Sequence, residues 1–332
     1  MSDERLPYPG LRAFTREESD LFFGREGCVD QMVDRLAATR FLAVLGASGS
    51  GKSSLVRTGL LDALDLGLLE SAGTRWRVAD LHPGGQPMRN LAYALLHARD
   101  EKEPDPVEVD MFTAFLRRGP RSVTEWSAAP GNLPPRWNLL ILVDQFEELF
   151  RYGTYAHREE AEAFVTLLVE SAAALHGRIY VVMTMRSEYL GACSLLPGLA
   201  ERINDGLYLT PRMRREECRE AIEGPAGVIG FRVQPALVNR LLNDLTTFAP
   251  WEGEGDVNPA EQLARRADQL PLMQHVLNRL WMRARTNARN DQKVELTLYD
   301  YEKVGGLAGA LDSHGTEVMA SLGGEDAVRL RT

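Results

Sequence analysis

The sequence contains little cysteine, no long apolar run and no excess of basic residues. Its three cysteines, Cys28, Cys193 and Cys218, form no CxxC pair and no Cys/His cluster with zinc spacing, so we predict neither a disulfide framework nor a structural metal. No apolar stretch approaches the ~20 residues that span a bilayer. The first ten residues, MSDERLPYPG, are not a signal peptide. We therefore expect a cytoplasmic protein.

The charge balance is acidic. The chain has 38 Lys and Arg against 47 Asp and Glu, a formal net charge of −9, so a nucleic-acid or membrane surface would need a local basic patch. This argues against nucleic acid and membrane as partners. The composition, 44% hydrophobic and 26% charged, excludes collagen-like, coiled-coil and wholly disordered chains. A length of 332 residues predicts about two domains.

Short apolar runs alternate with helical periodicity over roughly the first 210 residues. The predicted strands are Phe41–Leu45, Trp76–Leu81, Leu139–Val143 and Ile179–Met185, and the predicted helices are Glu26–Ala38, Lys52–Leu64, Pro87–His97 and Arg158–Ala174. Such alternation predicts an α/β fold with a parallel sheet wrapped by helices. We predict loops at Asp100–Asp110 and Ser127–Arg136. From Pro211 onward helices dominate, among them Leu270–Ala284.

The segment GASGSGKS, Gly46 to Ser53, matches the P-loop motif GxxxxGK[ST] in full. Its glycines allow backbone N–H groups to surround phosphate oxygens, and the helix that follows directs its positive end to the same point. Lys52 is predicted to reach the β- and γ-phosphates, and the Ser53 hydroxyl to ligate Mg²⁺. The predicted phosphate-binding residues are Gly46, Ser48, Gly49, Ser50, Gly51, Lys52 and Ser53. The alternative is a glycine-rich turn without a ligand.

A second signal is Asp144, which directly follows the apolar run Leu139–Val143. A carboxylate at the end of a buried strand is how P-loop enzymes hold Mg²⁺ from the side opposite the P-loop. Gln145 occupies the place where many AAA-type ATPases carry the catalytic Glu. The base that activates water must then be Glu147 or Glu148, and we favour Glu147. The alternative is that both are helix N-terminal charges.

A third signal is Arg186, which lies at the end of the predicted strand Ile179–Met185. Ligands bind at the carboxyl edge of parallel sheets, so an arginine there is placed to sense a γ-phosphate or to stabilise developing charge. An ion pair between strands or domains is the alternative.

Further motifs extend the pattern along the chain: YPGLR (Tyr8–Arg12), FGRE (Phe23–Glu26), LVDQFEELF, TMRSEYL, AIEGPA, LPLMQHVLNRLW and LTLYDYEKVGGLAGAL. With these motifs the sequence resembles the novel STAND NTPase family, signal-transduction ATPases distantly related to the NACHT and NB-ARC switches. The resemblance covers residues from about Pro7 to Leu322. FGRE joined to DQFEELF is the specific part, because a P-loop alone is generic.

The resemblance implies a role for each matching residue. Phe23, Gly24 and Arg25 would pack near adenine and ribose, and Ser54 would join the P-loop residues at the phosphates. Arg186 would be the sensor arginine, and Pro271 would be the lid proline that touches the base. A first-turn helix proline without a ligand is the alternative for Pro271. The implied organisation is an arm (1–26), an ASCE/AAA-like P-loop core (27–210), a helical lid (211–292) and the start of a winged-helix-like segment (293–332).

The function that this resemblance implies is an ATP-dependent switch that hydrolyses ATP slowly, with ATP or ADP and Mg²⁺ as cofactors. We expect self-association in the ATP state and an effector or sensor outside these residues. Because the family pattern continues beyond Thr332, we expect either a shortened chain or a remainder supplied otherwise. Two alternatives to the switch stay open: a nucleotide-bound scaffold that does not hydrolyse ATP, and a DNA-handling ATPase.

Overall fold

The structure, a computed structural model, describes residues 5–151, 155–174, 177–247, 269–287, 294–307 and 309. Two units result from the way the backbone segments pack. The described residues within 26–47 and 55–211 form the sheet unit, and those within 5–25, 48–54 and 212–309 form the arm-and-helix unit. The predicted four-part organisation stays a prediction. Residues 248–268 of the predicted lid and the end of the predicted winged-helix-like segment after residue 309 lie outside the described residues.

Five parallel strands form the centre of the sheet unit, in the order β2-β3-β4-β1-β5. Their bounds are β1 (Phe41–Gly46), β2 (Trp76–Leu81), β3 (Asn138–Val143), β4 (Ile179–Arg186) and β5 (Leu207–Leu209). The register pairs Leu81 with Val143, Val143 with Met183, and Gly46 with Arg186. The carboxyl ends of neighbouring strands therefore lie at one edge, and the predicted α/β fold with a parallel sheet is confirmed.

Strands β1 and β3 are buried along their whole length. Each is a continuous apolar run without alternation, the pattern of a strand covered by helices on both faces. Side chains of β3 and β4 form one apolar core with residues of the surrounding helices, such as Leu91, Leu95 and Phe164. This core fixes the strand register, and thereby the relative positions of the polar residues that follow the strand ends.

Helices cover the sheet and connect its strands. In the sheet unit they are α1 (Glu26–Thr39), α3 (Leu61–Asp65), α4 (Pro87–Asp100), α5 (Pro106–Leu116), α6 (Ser122–Ala128), α7 (Tyr155–Ala173) and α8 (Leu199–Gly206), with 3-10 helices at Phe146–Phe150 and Ser187–Leu195. The short helix α2 (Lys52–Ser54) belongs to the arm-and-helix unit. The predicted continuous helix Lys52–Leu64 is wrong in one respect, because Leu55–Leu60 is π-helical. Such π segments frequently mark functional sites.

The predicted loop at Asp100–Asp110 is also wrong in part, because α5 begins at Pro106. The Asp105 carboxylate caps this helix by accepting hydrogen bonds from the backbone N–H groups of Val107 and Glu108. Proline suits the first helical position, where its missing N–H has no partner to lose. Val109 and Leu116 bury the inner face of the helix. Local capping and burial therefore outweigh the acidic composition.

The arm-and-helix unit has its own apolar core. Its elements are the 3-10 helix Arg16–Leu21, α9 (Arg215–Ile229), β6 (Arg232–Val233), α10 (Pro235–Thr247), α11 (Gln269–Asn287), β7 (Glu295–Leu296) and α12 (Leu298–Lys303). Tyr8 of the arm is fully buried in this core. Its hydroxyl donates to the Ile222 carbonyl at 2.5 Å, and the Asn278 side-chain amide donates to the Tyr8 carbonyl at 2.6 Å.

No helix within the described part of the chain is long and apolar enough to cross a membrane.

Candidate functional site

The predicted site residues divide between the two units. The sheet unit contains Gly46, Asp144, Glu147, Glu148 and Arg186. The arm-and-helix unit contains Phe23, Gly24, Arg25, Ser48 to Ser54 and Pro271. Each group is described on its own below.

The P-loop follows β1 directly and leads into α2, which begins at Lys52. Gly49 and Gly51 have φ values of 71° and 84°, in the left-handed region that favours glycine. The Ser50 hydroxyl is buried and has no hydrogen-bond partner in the structure. A buried hydroxyl of this kind fits an acceptor such as a phosphate oxygen, because an unpaired buried donor is costly. The loop therefore fits a nucleotide phosphate.

The arm holds the P-loop backbone. The buried Arg25 guanidinium donates from Nη2 to the Ser50 carbonyl at 3.1 Å. The Phe14 backbone N–H donates to Ser54 Oγ at 3.2 Å. Arg25 therefore contacts the loop itself, whereas the family resemblance implies a contact with adenine or ribose. Its role toward a nucleotide stays a prediction.

Phe23 and Gly24 pack against α9. A Cβ atom added at Gly24 would lie 2.3 Å from the Glu217 carbonyl oxygen, and one added at Gly224 would lie 2.4 Å from the Phe23 ring. Gly24 also has a φ of 82°. These close approaches explain why glycine is needed at both positions. They fix the arm on α9 just before Arg25, and the predicted contact of Phe23 and Gly24 with adenine stays untested.

Asp144 lies at the end of β3 with only 2% of its surface exposed. The Thr184 hydroxyl of β4 donates to Asp144 Oδ1, and the Gln145 backbone N–H donates to Thr184 Oγ1 at 3.0 Å. Gln145 has a φ of 56°, which turns the chain sharply after the strand. This turn directs the Asp144 carboxylate to the edge of the sheet.

Arg57 is the second partner of Asp144, at 3.1 Å between Nη2 and Oδ2. The same guanidinium binds Asp80 of β2 through Nε at 3.0 Å and Nη2 at 3.2 Å. The His82 ring nitrogen Nε2 lies 3.9 Å from Asp144 Oδ2. The sequence analysis missed Arg57, Asp80 and Thr184. Two features of the sequence could have indicated this cluster. Asp80 lies near the end of the predicted strand Trp76–Leu81, and Arg57 lies one helical turn after Ser53.

Glu147 is buried and contacts Arg186 twice. Arg186 Nε lies 3.3 Å from Glu147 Oε1, and the Arg186 backbone N–H donates to Oε2 at 3.4 Å. Glu148 is directed elsewhere, because it accepts a hydrogen bond from the Gly84 backbone N–H at 3.0 Å. The structure thus brings together the favoured base and the predicted sensor arginine, and it separates Glu148 from both.

Pro271 lies in the first turn of α11 and is half-buried. First-turn prolines are common because their missing N–H would have no partner there. The arrangement agrees with the alternative of a helix proline, and the predicted contact of Pro271 with the base stays untested.

The oxygen donors of the site suit Mg²⁺. In the sheet unit Asp144 supplies a buried carboxylate, and the predicted contribution of the Ser53 hydroxyl stays a prediction. In the described residues no group of three or more His, Cys, Asp or Glu side chains is arranged to hold a metal. Mg²⁺ needs no such group, because it is typically held by one or two carboxylates together with substrate phosphates.

Two solved structures from Aeropyrum pernix share the fold of this chain. Aeropyrum pernix ORC1, solved in complex with DNA, aligns with a TM-score of 0.51 at 15% identity, covering 92% of this chain and 70% of that chain. Aeropyrum pernix ORC2, solved as ADPNP-ADP complexes, aligns with a TM-score of 0.50 at 14% identity, covering 97% of this chain and 74% of that chain. At these identities the likeness concerns the fold alone, which is that of a P-loop ATPase.

Among proteins with curated functions, none matches the chain in sequence. The family described as Novel STAND NTPase 1 matches residues 7–332, nearly the whole chain. The resemblance seen in the sequence motifs is thereby confirmed, and the chain belongs to the Novel STAND NTPase 1 family.

Proposed function

We propose that this chain is an ATP-dependent molecular switch. At rest it holds ADP, exchange for ATP permits self-association, and slow hydrolysis returns it to rest. Membership in an NTPase family and a complete P-loop between β1 and α2 support nucleotide binding. The observation that carries the switch is the contact of Arg186 with Glu147, which links the predicted sensor to the predicted base.

The P-loop residues bind the phosphates. Backbone N–H groups of Gly46 to Ser54 surround the phosphate oxygens, Lys52 pairs with the β- and γ-phosphates, and the Ser50 hydroxyl donates to a phosphate oxygen. Arg25 keeps the loop in shape by binding the Ser50 carbonyl. The aligned amides and the positive end of the helix that starts at Lys52 add to the attraction of the anion.

Ser53 and Asp144 hold the divalent cation. A divalent cation bound there would supply positive charge that offsets the negative charge developing on the phosphate oxygens as the bond between Pγ and the bridging oxygen breaks. Thr184 keeps Asp144 in position by its hydrogen bond to Oδ1. A buried carboxylate fixed in this way presents a preorganised ligand, which is more effective than a mobile one.

Glu147 activates the attacking water. In the arrangement observed, both of its carboxylate oxygens contact Arg186, one through the guanidinium and one through the backbone N–H. Arg186 must turn toward the γ-phosphate before Oε1 of Glu147 is available to water. In the ATP-bound state the γ-phosphate would then contact Arg186, a contact that ADP cannot make. A switch requires such a difference in interactions between its two states. This dependence on a rearrangement supports slow, regulated turnover.

Phosphate release from ATP tests the proposal. We expect Glu147→Gln to lose turnover by about 100-fold or more, as removal of a general base typically costs. Asp144→Asn should also lose turnover, because the carboxylate that would hold the divalent cation is gone. Glu147→Gln should still bind ATP. Glu148→Gln is the matched control, because its carboxylate binds the Gly84 backbone rather than Arg186. Turnover in Glu147→Gln at the wild-type rate would remove Glu147 as the base.

The first alternative, a nucleotide-bound scaffold without turnover, predicts that wild type and Asp144→Asn release phosphate equally slowly. The second alternative, a DNA-handling ATPase, is favoured by one observation, which is that Aeropyrum pernix ORC1 was solved with DNA. The net charge of −9 argues against it. A salt-dependent, tight affinity for duplex DNA would support this alternative.

The proposed partners of the switch are a second copy of the chain in the ATP state and an effector or sensor outside these residues. The proposed location is the cytoplasm.

A further inference from the structure

Arg57 holds two carboxylates unequally. It binds Asp80 through two hydrogen bonds, Nε at 3.0 Å and Nη2 at 3.2 Å, in the fork geometry that arginine favours. It binds Asp144 through a single contact of Nη2 at 3.1 Å. Asp80 is 38% exposed, whereas Asp144 is 2% exposed. Arg57 therefore makes more hydrogen bonds to the exposed Asp80 than to the buried Asp144.

This inequality matters because a buried carboxylate needs a nearby positive charge. An uncompensated charge in the protein interior is strongly destabilising, so a nearby cation stabilises the buried Asp144 carboxylate. The Arg57 guanidinium supplies such a charge through its contact with Asp144 Oδ2, because arginine is protonated throughout the physiological pH range.

The position of Arg57 in the chain allows this contact to change. Arg57 lies in the π-helical segment Leu55–Leu60, directly after the P-loop helix turn. Asp80 and Asp144 lie at the ends of the adjacent strands β2 and β3, where the Asp144 backbone N–H donates to the Leu81 carbonyl. If Arg57 gives up Nη2 to Oδ2 of Asp144, the Nε bond to Asp80 can remain. The guanidinium then stays charged and paired.

We infer that Arg57 is a positioning residue for Asp144. It is a built-in cation that neutralises Asp144 when no divalent cation is bound, and it withdraws to Asp80 when one is bound. Arg57 thereby competes with the divalent cation and sets its affinity. This inference rests on the proposed function, in which Asp144 is a ligand of that cation.

A simpler role for Arg57 would be to stabilise the fold through an ion pair with Asp80. The two roles differ in their consequences. A structural ion pair affects stability to the same extent with and without a divalent cation. A competing cation affects stability mostly when the divalent cation is absent, because bound cation takes over the neutralisation of Asp144.

The test is Mn²⁺ binding to the whole chain in the presence of ADP, followed by the electron paramagnetic resonance signal of free Mn²⁺. We expect Arg57→Gln to bind Mn²⁺ about tenfold more tightly than wild type, because a repelling charge near the cation is lost. Asp80→Asn should bind about threefold more weakly, because Arg57 then pairs with Asp144 alone. Arg117→Gln, which removes an exposed partner of Glu160, is the control and should leave the affinity unchanged.

The double variant Arg57→Gln with Asp80→Asn shows whether Asp80 acts through its ion pair with Arg57 or through its own charge at a distance. If Asp80 acts by holding Arg57, Asp80→Asn has no further effect once Arg57 is replaced, whereas independent charges would act additively. Additive effects would overturn the competition between the two carboxylates for Arg57. An affinity of Arg57→Gln equal to or weaker than that of wild type would overturn the inference as a whole.

Thermal unfolding gives a second measurement that does not depend on tight binding. Arg57→Gln should lower Tm without divalent cation, and the loss should shrink when ADP and Mg²⁺ are saturating. An equal loss under both conditions would indicate a purely structural ion pair and overturn the inference. The proposed function itself fails if Asp144→Asn binds Mn²⁺ as well as wild type does, or if neither binds it. That outcome differs from an Arg57→Gln variant whose Mn²⁺ affinity equals that of wild type.

Discussion

The sheet unit and the arm-and-helix unit use polar side chains in different ways. In the sheet unit the polar contacts at the strand ends join charged side chains, such as Arg57 with Asp144 and Arg186 with Glu147. In the arm-and-helix unit the buried side chains of Tyr8 and Arg25 bind the backbone carbonyls of Ile222 and Ser50. Ion pairs of this unit, such as Arg5 with Asp20, lie at the surface. Ion pairs can exchange a partner for the charge of a ligand, whereas apolar packing with backbone hydrogen bonds fixes geometry. From this difference we expect the sheet unit to supply the catalytic side chains and the arm-and-helix unit to fix the shape of the P-loop.

The largest expected effect on stability is at Tyr8. Tyr8→Ala removes a fully buried ring and should lower the free energy of unfolding of the arm-and-helix unit by about 3–5 kcal/mol. Tyr8→Phe keeps the ring and loses only the bond to the Ile222 carbonyl, a cost of about 1 kcal/mol. Burial raises the pKa of the Tyr8 phenol, so the hydroxyl remains a donor through the neutral range.

Hydrogen exchange measured along the chain checks this prediction. Tyr8→Ala should lose protection in α9, α10 and α11, while strands β1, β3 and β4 keep theirs. Equal loss of protection in both units would show that they unfold as one, and it would contradict the distinction between the sheet unit and the arm-and-helix unit.

A smaller effect is expected at Gly224 in α9. An added Cβ atom would lie 2.4 Å from the Phe23 ring, so Gly224→Ala should destabilise the unit by about 1–3 kcal/mol through crowding. Gly227→Ala on the same helix is the matched control, because nothing lies within 4 Å of its added Cβ atom. Alanine is the better helix former, so the control should stabilise by up to about 1 kcal/mol. Chemical denaturation measures both, and a stabilising Gly224→Ala would mean that the arm is not held on α9.

Much of the sheet unit could be predicted from the sequence, because its signals are local. Continuous apolar runs indicate β1 and β3, and motif spacing places Lys52 after β1 and Asp144 after β3. The contact of Arg57 with Asp80 and Asp144 could not be predicted, because it depends on the pairing of β2 with β3 and on a π-helical turn that has no simple periodicity. The packing of Phe23 on Gly224 joins residues about 200 positions apart, and nothing local indicates it.

Helix α5 is a different case, because its signal was present in the sequence. Asp105 followed by Pro106 is a helix start, with a capping carboxylate and a first-turn proline. The surrounding acidic residues favoured a loop instead. Composition is therefore a weaker guide than a capping pair when an apolar stripe follows it.

The nucleotide released when the purified protein is denatured tests the central claim most directly. A resting switch should release close to one ADP per chain, and Lys52→Ala should release none, because the cation that pairs with the phosphates is lost. Lys303→Ala, which replaces an exposed lysine of α12, is the control and should release as much ADP as wild type. Wild-type protein that releases no nucleotide, or that releases it independently of Lys52, would contradict the account.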